Sequence, residues 1–170
     1  ALHYFLLMDG WGNIPFTLEP MTKPEQRSRA QMYEWLEQEL IGIEPALSEA
    51  KAKKSTDAGY GRVDKAACWL LLSRLYLNSE IYTGTAQWQK AKEYADKVIK
   101  SSYRLNTVGK GGWTAYQMLF MGDNGETDAA YEALLPLLQD GLTTTSWGTS
   151  LFLIAGCFDG EMHANPNDLT

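Results

Sequence analysis

The fold is decided by one stretch, Gly61-Arg62-Val63-Asp64-Lys65-Ala66-Ala67-Cys68-Trp69-Leu70-Leu71-Leu72-Ser73-Arg74-Leu75-Tyr76-Leu77. Wound as a helix, the part from Val63 to Leu77 is apolar on most sides, whereas a helix on the protein surface carries a polar face. We therefore expect a helix between about residues 62 and 82 that is packed between other helices. It would form the centre of a mainly α-helical fold.

A second helix is predicted after the turn Thr83-Gly84-Thr85, and its lysines and acidic residues face water. Its apolar stripe consists of Trp88, Ala91, Ala95, Val98 and Ile99. Together the two helices resemble a tetratricopeptide repeat, in which small residues let two helix backbones approach closely. The residues of the first helix at that repeat's spacing are Trp69, Leu72, Ser73 and Tyr76. Because no clear second copy appears, we expect an irregular helical hairpin of this type.

Another helix is predicted upstream, beginning at Thr22-Lys23-Pro24-Glu25, where a hydroxyl cap precedes an early Pro and a Glu. Its buried face would carry Met32, Leu36, Leu40, Ile43 and Leu47, with Gly42 and Pro45 fraying its last turn. Residues 1–9 are expected to be the end of a helix closed by Gly10 and Gly12. We therefore expect the chain to be an internal part of a longer protein.

The character of the sequence changes after Leu105, where glycines, aromatic residues and polar turns replace regular helices. We predict a short helix over residues 113–120, a strand or turn over residues 131–135, and a short apolar run over residues 150–154. Residues 1–105 are accordingly predicted to be a partial tetratricopeptide-like scaffold. Residues 106–170 are predicted to be a partial, loop-rich portion of the same domain.

Composition restricts the classes of function. The chain has 170 residues, of which 45% are apolar, enough for one globular domain with a core. Its net charge of -6 gives no positive field to attract nucleic acid. No apolar run reaches the roughly 18 residues of a membrane span. Cys68 and Cys157 form no metal or redox motif and are expected to be buried apolar residues, with a disulfide between them left open.

Catalytic motifs are missing from the sequence: it has no G-x-S-x-G, H-E-x-x-H, Walker-type or G-x-G-x-x-G signature. The glycines of residues 109–112 are expected to form a flexible turn instead. A glycosidase would need two facing carboxyl groups, for which the candidates are Asp123, Glu126, Asp128 and Glu132. Acidic pairs arise by chance in a chain with 21 acidic residues, so we predict no catalytic residues.

Residues 122–128 form an acidic turn, Gly122-Asp123-Asn124-Gly125-Glu126-Thr127-Asp128. Hard oxygen ligands within a glycine-permitted bend are what Ca²⁺ requires. A structural calcium held by Asp123, Asn124, Glu126 and Asp128 is therefore one interpretation. The spacing departs from that of an EF-hand, and a solvated loop is the interpretation that we favour.

Aromatic residues carry the clearest binding signal, because flat apolar sugar faces stack on Trp and Tyr rings. Trp147 follows a polar Thr/Ser run and precedes Gly148, where no helical stripe requires a bulky ring. We predict that it stacks on a ligand, with packing as the alternative, and Trp113 and Tyr116 are secondary candidates. The tryptophans at 35, 69 and 88 are expected to be in the core, and Trp11 to pack inward.

The order of four segments resembles the SusD/RagB family of outer-membrane nutrient-binding lipoproteins across nearly the whole chain. The stretch Leu119-Phe120-Met121-Gly122-Asp123-Asn124 is similar to the starch-binding branch of that family. The four segments are Tyr4-Phe5-Leu6-Leu7-Met8-Asp9 with Trp11-Gly12-Asn13-Ile14-Pro15-Phe16, residues 61–67 with 73–77, Trp88-Gln89-Lys90-Ala91 with Ala95 and Val98-Ile99, and Tyr103-Arg104-Leu105.

The resemblance implies a helical scaffold with a loop-rich ligand-binding part, and a function in nutrient uptake without catalysis. Such a protein captures an extracellular oligo- or polysaccharide, here a starch-like glucan, and passes it to a SusC-like TonB-dependent transporter. It is attached to the extracellular face of the outer membrane by a lipid anchor, which would lie outside this chain. The resemblance also implies that Trp147 faces glucan and that no cofactor is required, and it leaves a structural calcium at the acidic turn as an open interpretation. The alternatives are a tetratricopeptide-type adaptor that binds peptides and a glycoside hydrolase domain.

Overall fold

The computed structural model describes residues 1–138, and the fold below concerns the compact unit Ala1–Pro136. Helices predominate there, and the described residues contain one two-stranded sheet. The predicted mainly α fold class is therefore confirmed. Every helix in this part of the chain is too short or too polar to cross a membrane. In chain order the elements are α1 Leu2–Trp11, β1 Ile14–Phe16, β2 Glu25–Arg27, α2 Arg29–Ile43, α3 Lys65–Leu77, α4 Ser79–Thr83 and α5 Trp88–Ile99, with 3-10 helices Glu44–Ala46, Gln117–Phe120 and Asp128–Glu132.

Helix α3 forms the centre of the unit, as its sequence predicts, and it packs most closely against α5. The hydroxyl of Ser73 donates a hydrogen bond to the carbonyl oxygen of Ala91 at 2.8 Å, so the two backbones approach closely. This contact is the one expected of a tetratricopeptide-like hairpin. Helix α3 packs between α2 and α5, as predicted, and its remaining face carries the exposed side chains Leu70 and Leu77.

Asp64 fixes the start of α3. Its Oδ1 accepts hydrogen bonds from the backbone N–H groups of Ala66 at 2.8 Å and Ala67 at 3.3 Å. Its Oδ2 accepts from the N–H of Lys51 at 3.1 Å and from the hydroxyl of Tyr103 at 2.8 Å. The buried carboxylate therefore caps the helix. It also ties the loop before α3 and the segment after α5 to that helix.

Two glutamates, one on α2 and one in the 3-10 helix that follows it, join this segment to α3 and α5 through similar polar contacts. Glu37 accepts a hydrogen bond from the hydroxyl of Tyr76 at 2.8 Å and lies 3.1 Å from the ammonium of Lys90. About two helical turns further on, Glu44 accepts from the indole N–H of Trp69 at 2.7 Å, and Lys97 lies 3.4 Å away. Each glutamate thus receives one aromatic donor from α3 and one lysine from α5.

The start of α2 differs from the prediction. The helix begins after Ser28, whose hydroxyl accepts from the N–H of Gln31 while the Gln31 side chain accepts from the Ser28 N–H. This reciprocal capping box outcompetes the signal at Thr22. The intervening residues Glu25–Arg27 instead pair antiparallel with Ile14–Phe16. The C-terminal end is as predicted, since the helix becomes a 3-10 turn at Glu44, next to Pro45.

The tryptophans are only partly where the sequence places them. Trp35 and Trp69 are partly buried, and the Trp35 ring packs against Tyr4 and Phe16. Trp88 is 62% exposed and Trp11 is 74% exposed, so both predictions of inward packing are wrong. Trp88 is the first residue of α5 and Trp11 the last of α1, and side chains at helix ends extend beyond the packed turns.

Between Leu105 and residue 138, the described residues form loops and two 3-10 helices. The short helix predicted for residues 113–120 is reduced to the 3-10 turn Gln117–Phe120. Of the strand or turn predicted over residues 131–135, only the strand is wrong, because Tyr131 lies in the 3-10 helix Asp128–Glu132 and residues 134–135 form a bend. The apolar run at residues 150–154 lies outside the described residues. The division at residue 105 stays a prediction.

The structure locates one of the two cysteines. Cys68 is buried in the core, where its thiol lies 3.4 Å from the carbonyl oxygen of Leu40. Burial raises the pKa of this thiol to about 11. Cys157 lies outside the described residues, so its pairing stays open.

Candidate functional site

Two exposed aromatic rings lie side by side on the 3-10 helix that follows Thr114. Tyr116 is 70% exposed and Phe120 is 73% exposed, and their ring centroids are 5.2 Å apart with an angle of 65° between the planes. Met118, between them in sequence, is buried and anchors the turn. We call Tyr116 and Phe120 the ring pair.

Local hydrogen bonds hold the ring pair in place. The side-chain oxygen of Gln117 accepts from the N–H of Thr114 at 2.9 Å, and the Thr114 hydroxyl accepts from the N–H of Gln117 at 3.3 Å. Asn106 fixes the segment from the other side, because its side-chain amide donates to the carbonyl oxygens of Val108 and Ala115 at 3.2 and 2.8 Å. The rings therefore stand on a turn that is braced at both ends.

Trp113, a secondary candidate from the sequence, is 53% exposed and closes a tight hairpin turn. The N–H of Lys110 donates to the carbonyl oxygen of Trp113, and the N–H of Trp113 donates to that of Lys110, at 3.1 and 3.0 Å. The two residues between them, Gly111 and Gly112, have φ of 61° and 87°. Positive φ at both central residues is the geometry of a type I′ turn, which glycine adopts without strain. The glycine cluster is thus a defined turn that presents the indole.

These rings can bind an uncharged ligand with flat apolar faces. Trp113, Tyr116 and Phe120 are each more than half exposed within eight residues of sequence, so each presents part of its ring to solvent. Phe120 was missed by the sequence analysis, because the run Leu119-Phe120-Met121 reads as core. The signal that could have found it is its separation of one helical turn from Tyr116. Trp147, the leading candidate, lies outside the described residues and stays a prediction.

The acidic turn is held by cations of the protein itself. The carboxylate of Asp128 lies 2.9 Å from the ammonium of Lys54 and 3.5 Å from the guanidinium of Arg104. The Lys54 ammonium, assisted by Arg104, holds the pKa of Asp128 below its usual range. The N–H of Ser55 also donates to the carbonyl oxygen of Gly125 at 2.7 Å. The turn is therefore docked onto the loop that precedes α3.

These contacts do not fit a calcium cage. The Asn124 amide donates to the carbonyl oxygen of Leu119 at 2.8 Å, and Asp123 faces Lys110 at 4.0 Å, while Glu126 is exposed. Among residues 1–138, no three His, Cys, Asp or Glu side chains come together as a metal site. The calcium prediction therefore rests on the sequence pattern alone.

The surroundings of Asp128 are the opposite of those that an acid catalyst needs. A glycosidase needs one carboxyl group whose pKa is raised so that it can donate a proton to the leaving oxygen. The pKa of Asp128 is shifted in the opposite direction, because two cations contact it. The arrangement of Asp128 thus suits a structural ion pair.

Two cavities that are large enough to hold a small ligand are lined by residues of the described part of the chain. The larger, about 520 Å³, is lined mainly by leucine, isoleucine, valine and alanine side chains of α1, α2 and α3, with Arg74 and Glu132 as its charged residues. Most hydroxyl groups of a sugar bound there would lack hydrogen-bond partners, and burying unpaired hydroxyl groups costs free energy. The smaller, about 170 Å³, lies beside the acidic turn and is lined by Tyr60, Asn124, Glu132 and apolar residues.

Comparison with known proteins identifies the family. No family model matches the chain. Over 158 residues, the chain is 40% identical to the starch-binding protein SusD of Bacteroides thetaiotaomicron, an alignment that covers 92% of this chain and 26% of that protein. The structure of surface glycan-binding protein A from Bacteroides uniformis superposes with a TM-score of 0.50 and 31% identity, covering 62% of this chain and 24% of the other. The chain thus spans about a quarter of each relative. The likeness in sequence and in fold shows that this chain belongs to the SusD-like family.

Proposed function

We propose that the chain is part of a non-catalytic protein that captures an extracellular glycan at the bacterial cell surface. The observation that carries this proposal is the 40% identity, over 92% of the chain, to a protein named for starch binding. The solved relative is likewise named a surface glycan-binding protein. A starch-like glucan is accordingly the first ligand to test.

The exposed rings support this proposal physically. The ring pair and Trp113 offer apolar faces on which the C–H faces of a pyranose can stack. The net charge of -6 disfavours polysaccharides rich in uronic acid or sulfate, because like charges repel. A neutral glycan therefore suits the chain better than an acidic one. Trp147 is proposed as a further stacking ring.

The remaining proposals concern the whole protein. It would be attached to the extracellular face of the outer membrane by a lipid anchor outside this chain. It would deliver its glycan to a SusC-like TonB-dependent transporter as part of polysaccharide utilisation. Co-purification with such a transporter from membranes, and its loss in a strain without the anchor, would test both statements.

Affinity electrophoresis tests the capture of glycan. The chain is run through native gels that contain amylopectin, pullulan, dextran, xylan or mannan, beside a gel without polysaccharide. We expect at least one neutral polysaccharide to retard the chain. Replacing both members of the ring pair, Tyr116→Ala with Phe120→Ala, should weaken retention by roughly 2- to 12-fold for each ring, since ring stacking contributes about 0.5–1.5 kcal/mol. Trp147→Ala should weaken it as well.

A matched control is Trp88→Ala, which removes an exposed ring from the first turn of α5. It should leave the retention unchanged. Unaltered mobility in every polysaccharide would overturn the proposal. Release of reducing sugar by the chain would favour the hydrolase alternative, and specific capture of a peptide without glycan would favour the adaptor.

A further inference from the structure

The smaller cavity has the composition of a ligand pocket. Its polar residues are Tyr60, Asn124 and Glu132, and its apolar side is formed by Leu119, Ala129, Ala130, Ala133 and Pro136. Small ligands are bound where a mainly apolar wall carries a few polar groups that fix their orientation. The cavity adjoins the segment that carries the ring pair, because its lining residue Leu119 belongs to the 3-10 helix Gln117–Phe120.

The polar groups keep hydrogen-bonding capacity for a ligand. Asn124 uses its amide N–H to reach the carbonyl oxygen of Leu119, which leaves its side-chain oxygen as an acceptor. Glu132 uses Oε2 to accept from the N–H of Asn106 at 2.8 Å, which leaves Oε1. Within residues 1–138 the hydroxyl of Tyr60 makes no hydrogen bond, and burial raises its pKa. Tyr60 thus keeps its hydroxyl as a donor or acceptor, Asn124 keeps its side-chain oxygen and a second amide N–H, and Glu132 keeps Oε1 as an acceptor.

The volume of the cavity is close to that of one sugar ring. At about 30 Å³ for each water molecule, 170 Å³ corresponds to five or six waters, which is close to the bulk of a single pyranose. Pockets for larger ligands occupy roughly 300–1,000 Å³. A longer glycan would place one unit in the cavity and extend its other units outside it.

The charge of the lining selects against anions. Among the described residues that line the cavity, Glu132 is the one charged side chain, and none is a lysine or arginine. A carboxylate or sulfate would meet a negative oxygen without a compensating cation. A neutral sugar can donate hydroxyl hydrogens to Glu132 and Asn124 and accept from Tyr60.

We infer that this cavity, lined by Tyr60, Asn124 and Glu132, is a subsite for a single neutral pyranose unit, separate from the ring pair. The inference rests on the proposed function, since the unit would belong to the same captured glycan. The ring pair would stack on the faces of successive sugar units of the glycan. The cavity would bind one unit through its hydroxyl groups.

The first measurement is the affinity of the chain for the polysaccharide that retards it most in the gels. The second is its affinity, by calorimetry, for the trisaccharide of that polysaccharide. Tyr60→Phe removes one hydroxyl and should weaken binding by about fivefold, the usual effect of one neutral hydrogen bond. Glu132→Gln removes a charged acceptor and should weaken binding about tenfold. Ala133→Leu places a larger side chain in the cavity and should weaken binding without removing a polar group.

Glu93→Gln on α5 is the matched control for the loss of one negative charge, and it should bind as the unaltered chain does. Circular dichroism checks that each variant is folded. If glycan is retained and the three cavity variants bind as tightly as the control, the subsite is overturned while the proposed function stands. If no polysaccharide is retained, both fall. Weakening by the cavity variants but not by the control supports the subsite.

Discussion

Replacing Asp64 by alanine is expected to destabilise the chain by about 3–5 kcal/mol. The residue is 2% exposed and accepts four hydrogen bonds. Alanine removes the cap of α3, which costs about 1 kcal/mol. It also leaves the N–H of Lys51 and the hydroxyl of Tyr103 without their acceptor, at about 1–2 kcal/mol each.

The assay is urea unfolding followed by far-UV circular dichroism at neutral pH. Tyr103→Phe should cost only about 1 kcal/mol, because Asp64 keeps its three backbone donors. In the double variant the two losses should not add, since both remove the same hydrogen bond. Asp57→Ala is the matched control, because Asp57 accepts the N–H of Lys54 in an exposed turn, and we expect about 0.5 kcal/mol or less.

Two results would refute this reasoning. A loss for Asp64→Ala no larger than that for Asp57→Ala would mean that the buried carboxylate does not link α3 to its neighbouring loops. Fully additive losses for Asp64→Ala and Tyr103→Phe would mean that the 2.8 Å contact between the two side chains contributes nothing to stability.

Four further predictions address the acidic turn, the core thiol and the helix contacts. The pKa of Asp128 is lower in the folded chain than in the unfolded chain, so its ion pairs stabilise the fold at pH values above the unfolded pKa of about 3.9. This stabilisation is lost as the pH falls through the lowered, folded-state pKa. The difference in melting temperature between the unaltered chain and Asp128→Asn should therefore shrink from pH 7 to pH 3. In a Cys157→Ser background, Cys68 should react with a thiol reagent at pH 8 only on unfolding, and rapid native labelling would contradict its burial. EDTA should leave the melting temperature unchanged, whereas a lowered value would reveal a bound Ca²⁺. Tyr76→Phe should cost about 1–2 kcal/mol by removing the donor to Glu37, and a loss below that of the exposed control Asp57→Ala would argue against the contact.

Periodicity was sufficient to predict the helices that make the fold. The apolar stretch before Leu77 and the stripe around Ala91 predict α3 and α5 because burial repeats with the turn of a helix. Periodicity could not decide where α2 begins, since Thr22 and Ser28 are both credible caps. The pairing of Glu25–Arg27 with Ile14–Phe16 settles that choice, and it depends on contacts between segments distant in sequence.

The exposure of aromatic side chains was harder to predict. Trp88 continues an apolar stripe of α5. It is the first residue of that helix, however, and its side chain is exposed to solvent. Phe120 lies in an apolar run, yet the 3-10 turn directs Met118 inward and leaves Phe120 in solvent. The pattern of hydrophobic residues cannot show which side chains of so short a turn point inward and which point into solvent. The sequence indicates Tyr116 as a candidate for ligand binding, but it does not indicate that the ring of Phe120 lies beside it.

The central claim is that the chain holds a neutral glycan on exposed rings and leaves it intact. The most direct measurement is equilibrium binding of the polysaccharide that retards the chain most, with the glycan sized by chromatography after prolonged incubation. We predict saturable binding that weakens when Tyr116 and Phe120 are both replaced by alanine, and a glycan of unchanged length. Binding that is indifferent to both rings, or a shortened glycan, would contradict the account.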